Sequence, residues 1–208
     1  MRLLNKYAEF KQLLVNIDLN NKPRLLLHSC CGPCSSHVLS LLMKYFDVTV
    51  YYYNPNIYPE AEFNHRAMVQ ADLINKLNPN VKLLIEEAPY ELFLQYVEKY
   101  KDLGEKSIRC YECYKFRMEH LQAKAIQYKF DYFTTTLSVS PHKNSEWINE
   151  IGESLSTSNC QYLYSDFKKE DGYLDSIRLA KKYDLYRQAY CGCSFSLEEA
   201  TKKKLGKA

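Results

Sequence analysis

The sequence lacks the features of exported and membrane-spanning chains. Its first residues, MRLLNKYAEFKQLLVNIDLNNKP, contain no uninterrupted apolar segment and no small-residue cleavage site, so no signal peptide is predicted. No apolar run approaches the roughly 20 residues that a membrane helix needs. We therefore predict a cytoplasmic protein without a membrane partner. In that compartment, clustered cysteines bind metal or carry out redox chemistry more often than they form structural disulfides.

Glycine and net charge are both scarce. The 208 residues include 6 glycines and carry a formal charge of +3, which by itself indicates no polyanionic partner. The loop CCGPCSS contains one glycine, whereas the phosphate-binding loop of an ATP-using enzyme is glycine-rich, so that class is disfavoured. Internal repeats, low-complexity segments and linkers are also lacking. We predict one catalytic domain over residues 1–208, in which residues 1–22 form a peripheral amino-terminal helix.

Strand and helix patterns alternate along the chain. Five short apolar segments predict strands, at RLLLHS, VTVYYYN, VKLLIEE, FDYFTTTL and CQYLYSDF. The segments around them carry apolar residues at helical spacing, as from Leu3 to Ile17. This order predicts an α/β fold of the Rossmann-like kind, with a parallel sheet and helices on both faces. Ligands of such folds bind beyond the carboxyl ends of the strands, which is where the first cysteines follow the first strand.

The sequence contains many cysteines, and most of them are clustered. Seven of the eight cysteines fall into three groups, namely Cys30, Cys31 and Cys34; Cys110 and Cys113; and Cys191 and Cys193. The segment from Cys31 to Cys34 has the letters of the thioredoxin motif, Cys-Gly-Pro-Cys. Thiol exchange needs only two thiols, however, so seven would be a surplus. Cys160 stands alone and is predicted to be a small buried apolar residue.

Thiols in this number indicate a metal. The ligands of an iron–sulfur cluster are cysteines that can come from distant loops, and the wide separation of the groups favours this type of site. Zinc bound by four cysteines is the alternative, although zinc ligands usually lie within a few tens of residues and four ligands leave three cysteines unexplained. Thiol chemistry without metal is the third possibility.

Five motifs occur in order between Leu25 and Ser196, and their joint occurrence is specific: LLLHSCCGPCSS, YYYNPNIYPEAEFNHR, RCYECYKFRM, TTTLSVSPHKN and LYRQAYCGCSFS. With them, the chain resembles the QueH family of epoxyqueuosine reductases. The resemblance implies reduction of epoxyqueuosine in the anticodon loop of tRNA to queuosine, the last step of queuosine biosynthesis. The epoxide oxygen leaves as water, and the two electrons come from an unidentified donor.

The resemblance also implies cofactors and ligands. The family is associated with a [4Fe-4S] cluster and, in some members, with an adjacent mononuclear metal, for which iron is the candidate. Matched motif by motif, the implied cluster ligands are Cys30, Cys31, Cys110 and Cys113. Cys191 and Cys193 are implied to be either a redox-active pair that forms a disulfide or ligands of the second metal, with Cys34 beside them. The alternative function is a zinc-stabilised RNA-binding module without redox catalysis.

Polar residues beyond the predicted strands are candidate substrate contacts. They are Asn54, Asn56, Tyr58, Glu62 and Arg66 after the second strand, His142 and Lys143 after the fourth, and Arg187, Gln188 and Tyr190 before the third cysteine group. Arg66 is expected to face a phosphate or ribose, and turn formation is the alternative role for this loop. His28 is either a hydrogen-bond donor to a cluster sulfur or a satisfied strand residue. The candidate phosphate contacts around the second cysteine pair are Arg109, Lys115 and Arg117.

Overall fold

A five-stranded parallel sheet forms the centre of the molecule. The computed structural model describes residues 2–164 and 166–206. The strands are β1 (Arg24–His28), β2 (Asp47–Tyr53), β3 (Lys82–Glu86), β4 (Tyr132–Thr135) and β5 (Gln161–Tyr162), in the spatial order β3-β2-β1-β4-β5. Every neighbouring pair is parallel, which confirms the predicted α/β fold. The fifth strand is shorter than its apolar segment predicts.

Helices cover both faces of the sheet. In chain order they are α1 (Arg2–Val15), α2 (Gly32–Leu42), α3 (Glu60–Leu77), α4 (Tyr90–Val97), α5 (Ile108–Gln127), α6 (Ser145–Leu155), α7 (Gly172–Lys182) and α8 (Ser194–Leu205). Within the described part of the chain, no helix is both long and apolar enough to cross a bilayer.

The central strand β1 shows why both faces are covered. Successive side chains of a strand point to opposite faces. Leu25 and Leu27 pack in one core with apolar residues of α1, α2 and α3, whereas Leu26 packs in another with residues of α4 and α5. All three leucines are completely buried. A continuous apolar run of this kind is typical of a parallel strand enclosed on both sides.

The amino-terminal helix is part of the packed structure. Phe10 and Leu14 of α1 are buried in the same core as Leu25, so the segment predicted to be peripheral contributes to the core. The side chains of Leu3 and Leu4, which belong to the predicted apolar stripe, lie outside the described residues. None of the described residues of α1 lines the large cavity at the carboxyl ends of the strands.

Three helices begin at the cysteine groups. Cys31 is the residue that precedes α2, and Pro33 in the first turn favours a helix start at this point. Cys110 lies in the first turn of α5, and Cys193 immediately precedes α8. The sequence predicts α2 and α8 to start a few residues later. Because they start earlier, the thiols lie where the partial positive charge of a helix amino terminus favours negative charge.

Candidate metal centre

A cavity of about 690 Å³ opens at the carboxyl edge of the sheet, and the three cysteine groups meet there. Its walls include thiols from all three groups, those of Cys30, Cys34, Cys110 and Cys191. All eight cysteines lie in the described part of the chain, and each is a free thiol. The fold therefore brings together cysteines that are separated by whole strands and helices in the sequence.

The first group is a compact set of three thiols. The sulfur atoms of Cys30, Cys31 and Cys34 all lie within 4.8 Å of one another. Hydrogen bonding to the thiols of Cys31 and Cys34 holds the pKa of Cys30 well below its usual range. The pKa of Cys31 is raised to about 12 for the complementary reason, its hydrogen bond to Cys30. One thiol of this group thus ionises readily, and the other two stabilise the resulting charge.

The second and third groups lie close to each other. Cys113 and Cys193 contact the same apolar core, and the thiols of Cys110, Cys113 and Cys193 each interact electrostatically with Cys191. Burial raises the pKa of Cys113 to about 12 and raises those of Cys110 and Cys193 as well. The structure places the sulfur of Cys34 with those of Cys30 and Cys31, as in the sequence group, and Cys34 also lines the cavity with Cys191, beside which the family resemblance places it.

Two cations accompany the thiols, the half-buried Lys143 and the buried Arg117. The Nζ atom of Lys143 lies 2.6 Å from the sulfur of Cys191 and donates a hydrogen bond to it. Arg117 is 2% exposed and lies near Cys113, Cys191 and Cys30. Burial acts to lower the pKa of Lys143, but the nearby Cys191 thiol and Tyr114 hydroxyl together outweigh burial and raise it well above its usual value. The site is thus built to hold negative charge.

Arg66 fastens the loop that carries the third cysteine group. Its guanidinium is 2% exposed and donates through Nε to Glu62 at 2.7 Å and through Nη1 to the carbonyl of Cys191 at 3.0 Å. Gly192 has a φ of +146°, a region that favours glycine, and its carbonyl accepts from the backbone N–H of Tyr58 at 2.8 Å. The donors of Arg66 are therefore directed at the protein's own backbone and at Glu62, where the sequence predicted a phosphate or ribose contact.

The remaining predicted substrate contacts divide between the cavity wall and its surroundings. Those that line the cavity are Asn54, Asn56, Arg66, His142, Lys143, Arg187, Gln188 and Tyr190. Tyr58 and Glu62 are not among the described lining residues, and both act on the neighbouring loop instead. The carbonyl of Tyr58 accepts a hydrogen bond from the Tyr190 hydroxyl, and Glu62 holds Arg66 and Tyr186.

Two asparagines and a histidine organise the floor of the site. Asn54 donates to the carbonyl of Ser29 at 2.8 Å and accepts from Arg117 at 3.3 Å. The side-chain oxygen of Asn56 is buried without a hydrogen-bond partner among the described atoms, so it is available to a ligand. Both ring nitrogens of His28 are occupied, by Thr135 at 2.8 Å and by the carbonyl of Tyr53 at 3.1 Å. His28 is therefore a satisfied strand residue.

Some residues of the site were not found from the sequence. Thr136 places its hydroxyl 3.8 Å from the Cys30 sulfur, and Lys106 and Lys203 line the cavity. Their proximity is produced by tertiary packing, and the motifs give no signal for it. Arg109, a predicted phosphate contact, is buried and bound to Glu199 at 3.0 Å. Lys115 is exposed on the other side of α5.

Comparison with known proteins identifies relatives over most of the chain. The model of the family described as Epoxyqueuosine reductase QueH matches residues 25–199. Epoxyqueuosine reductase QueH of Staphylococcus epidermidis (strain ATCC 12228 / FDA PCI 1200) is 39% identical over 183 residues, which cover 84% of this chain and 76% of the relative. The protein of the same name from Thermotoga maritima is 35% identical over 182 residues, covering 86% and 93%.

A solved structure resembles the chain in fold. It is described as U34-tRNA thiolase NcsA from Methanococcus maripaludis with its [4Fe-4S] cluster, and it superimposes with a TM-score of 0.54. The likeness covers 99% of this chain and 73% of that protein at 14% sequence identity. At this level of identity, the likeness supports the α/β fold alone.

Proposed function

The chain belongs to the epoxyqueuosine reductase family QueH, and we propose that it catalyses the reduction of epoxyqueuosine in tRNA to queuosine. The proposed reaction removes the epoxide oxygen as water and consumes two electrons and two protons. The observation that carries the proposal is the meeting of the three cysteine groups at one cavity, within the span that the family model matches. A cavity of about 690 Å³ is of the size that holds a small organic group.

The donor set fits an iron–sulfur cluster. It consists of soft thiol ligands that are largely buried, and a buried arginine, Arg117, and a half-buried lysine, Lys143, lie near them. We propose that Cys30, Cys31, Cys110 and Cys113 hold a [4Fe-4S] cluster, with Cys34 as an additional thiol beside the first two. Cys191 and Cys193 are then either a redox-active pair or ligands of a mononuclear iron. When bound, such a cluster would supply electrons one at a time.

The protein's own residues supply charge and shape to the proposed reaction. Lys143 holds its proton at Nζ, and a fixed ammonium group at the cavity wall stabilises an oxygen that gains negative charge. The unpartnered oxygen of Asn56 accepts a hydrogen bond from a hydroxyl or amine of the substrate. A substrate group that fills the cavity displaces water from its wall, which strengthens both interactions.

Exposed cations at the cavity provide a docking surface for the tRNA. Lys106, Arg187 and Lys203 are exposed, line the cavity from three different segments, and make no ion pair among the described residues. Unpaired cations around a cavity attract the phosphates of a nucleic acid. We propose that these three residues contact phosphates of the anticodon loop while the modified base enters the cavity.

The triple variant K106A/R187A/K203A is expected to raise KM for tRNA by about tenfold, because three contacts to single-strand phosphates are lost. For the same reason the slope of the logarithm of the binding constant against the logarithm of salt concentration should decrease in magnitude by about two. Turnover of the free epoxyqueuosine nucleoside, which has no phosphates, should be unchanged. The matched control K44A/K181A/K182A removes the same charge from exposed positions outside the cavity and should leave KM near wild type. An equal rise of KM in both triple variants would contradict the docking surface.

The proposed function is tested on protein purified without oxygen. We expect a brown protein with about four or more irons and matching sulfide per chain. Incubated with reductant and epoxyqueuosine-containing tRNA, it should yield queuosine by mass spectrometry of the digested nucleosides. A colourless protein that carries only zinc and takes up no iron and sulfide on reconstitution would support the zinc-stabilised RNA-binding alternative and refute the reductase.

A further inference from the structure

Three buried arginines surround the candidate metal centre, and one of them lacks a carboxylate. Arg66 pairs with Glu62 at 2.7 Å, and Arg109 pairs with Glu199 at 3.0 Å. Arg117 is as buried as Arg66, with 2% exposure each, yet no described residue offers it a carboxylate within ion-pair distance. Since an unpaired buried charge is costly, Arg117 needs a counter-charge of another kind.

The hydrogen bonds of Arg117 fix its position without neutralising it. Its Nε donates to the carbonyl of Cys113 at 3.2 Å, and its Nη1 donates to the side-chain oxygen of Asn54 at 3.3 Å. Both acceptors are uncharged. The third nitrogen, Nη2, is buried and has no partner among the described atoms. Arg117 is thus a rigidly held cation with one donor group unused.

Thiols are the groups around Arg117 that can carry negative charge. Arg117 lines the cavity together with Cys30 and Cys191, and its Nε reaches the carbonyl of Cys113. These three thiols come from all three cysteine groups, so Arg117 lies among the groups rather than beside one of them. The guanidinium is therefore placed to interact with whatever charge the thiols and a metal bound to them share.

We propose that Arg117 is the fixed counter-charge of the thiolate centre and raises its reduction potential. Adding an electron makes a cysteine-ligated cluster more negative, and a buried guanidinium stabilises the more negative state. The free Nη2 is available to donate a hydrogen bond to a sulfur, which acts in the same direction. This inference rests on the iron–sulfur centre proposed above.

The test compares reduction potentials of reconstituted wild type, R117Q and K115Q, measured by EPR-monitored redox titration without tRNA. R117Q is expected to lower the equilibrium constant for one-electron reduction about tenfold, which corresponds to about 59 mV. K115Q removes the same charge from the exposed side of α5, where the Lys115 side chain is 47% exposed, and should leave the potential unchanged. A wild-type potential in R117Q, or equal shifts in both variants, would overturn the inference.

Two further variants keep the inference testable if R117Q takes up no iron and sulfide. R117K keeps the charge, so it should take up iron and sulfide and titrate closer to wild type than R117Q does. The counter-charge role would be overturned if R117K took up no iron and sulfide while its metal-free form had the melting temperature of wild type. If neither variant folds, N54D places a carboxylate beside Arg117 and should lower the potential, and an unchanged potential would again overturn it. If the wild-type protein itself takes up no iron and sulfide, the proposed iron–sulfur centre is refuted. This outcome is distinct from the ones that overturn only the role of Arg117.

Discussion

Replacing Cys110 by alanine is expected to abolish cluster assembly and turnover together. Cys110 lies in the first turn of α5 and lines the cavity between the other cysteine groups. Removing Cys110 leaves the proposed cluster with three of its four thiolate ligands. We expect C110A to contain less than about a tenth of the wild-type iron and sulfide and to form no detectable queuosine. Iron analysis, sulfide analysis and nucleoside mass spectrometry measure the three quantities.

The matched control for this prediction is C160A. Cys160 is 1% exposed and packs in the core with Phe133, away from the cavity, so the variant also loses one buried thiol. It should keep its iron, sulfide and turnover, at a cost of about 1 kcal/mol in the free energy of unfolding for the small space left behind. If C110A retained full activity, or if C160A lost its iron to the same extent, the assignment of Cys110 would be wrong.

Replacing Arg66 by methionine is expected to destabilise the protein and to impair turnover. The change removes the ion-pair partner of Glu62, whose side chain is largely buried. The carbonyls of Tyr190 and Cys191 lose the hydrogen bonds that the Arg66 guanidinium donates. Breaking a buried ion pair from one side costs about 3 kcal/mol or more. In a domain of this size the melting temperature should fall by about 6 to 12 °C. Thermal unfolding of the metal-free protein measures this loss, and turnover of the reconstituted protein measures the effect on the cysteine loop.

Two variants separate the buried pair from a general effect of removing arginine. R178M breaks an ion pair to Asp175 that is 2.8 Å long but 71% exposed on the arginine side, so its cost should stay below about 0.5 kcal/mol. The double variant E62M/R66M removes both charges and should be more stable than R66M alone. A melting temperature of R66M equal to that of R178M would show that the pair does not fasten the loop.

The fold was accessible from the sequence because its signals are local. Alternating strand and helix patterns predict a parallel sheet, and the uninterrupted run from Leu25 to Leu27 predicts a strand covered on both faces. The strand order and the extent of β5 depend on pairing between distant segments. The eight-residue segment CQYLYSDF does not show that, among the described residues, the regular strand extends over Gln161 and Tyr162.

The sequence indicated the cysteines and many of the polar residues that meet at the cavity, but it did not indicate how they are arranged. Sequence proximity groups thiols along the chain, and it gives no account of how Cys191 comes to lie near Cys110 and Cys113. Arginines beside a cysteine motif suggest phosphate contacts because most arginines are exposed. Arg109 and Arg117 are buried because α5 presents this face to the cavity and to Glu199. The Arg66 pair had a visible signal, since Glu62 precedes it by one helical turn.

The placement of the cysteine groups at three separate helix starts has a consequence for biosynthesis. During translation, the first cysteine group, which follows β1, is synthesised well before α5. The third group, which precedes α8, is synthesised last. Before α5 is made, a nascent chain therefore contains the first thiol group without the other two. The cluster proposed above, held by Cys30, Cys31, Cys110 and Cys113, would therefore be completed only after α5 has been translated.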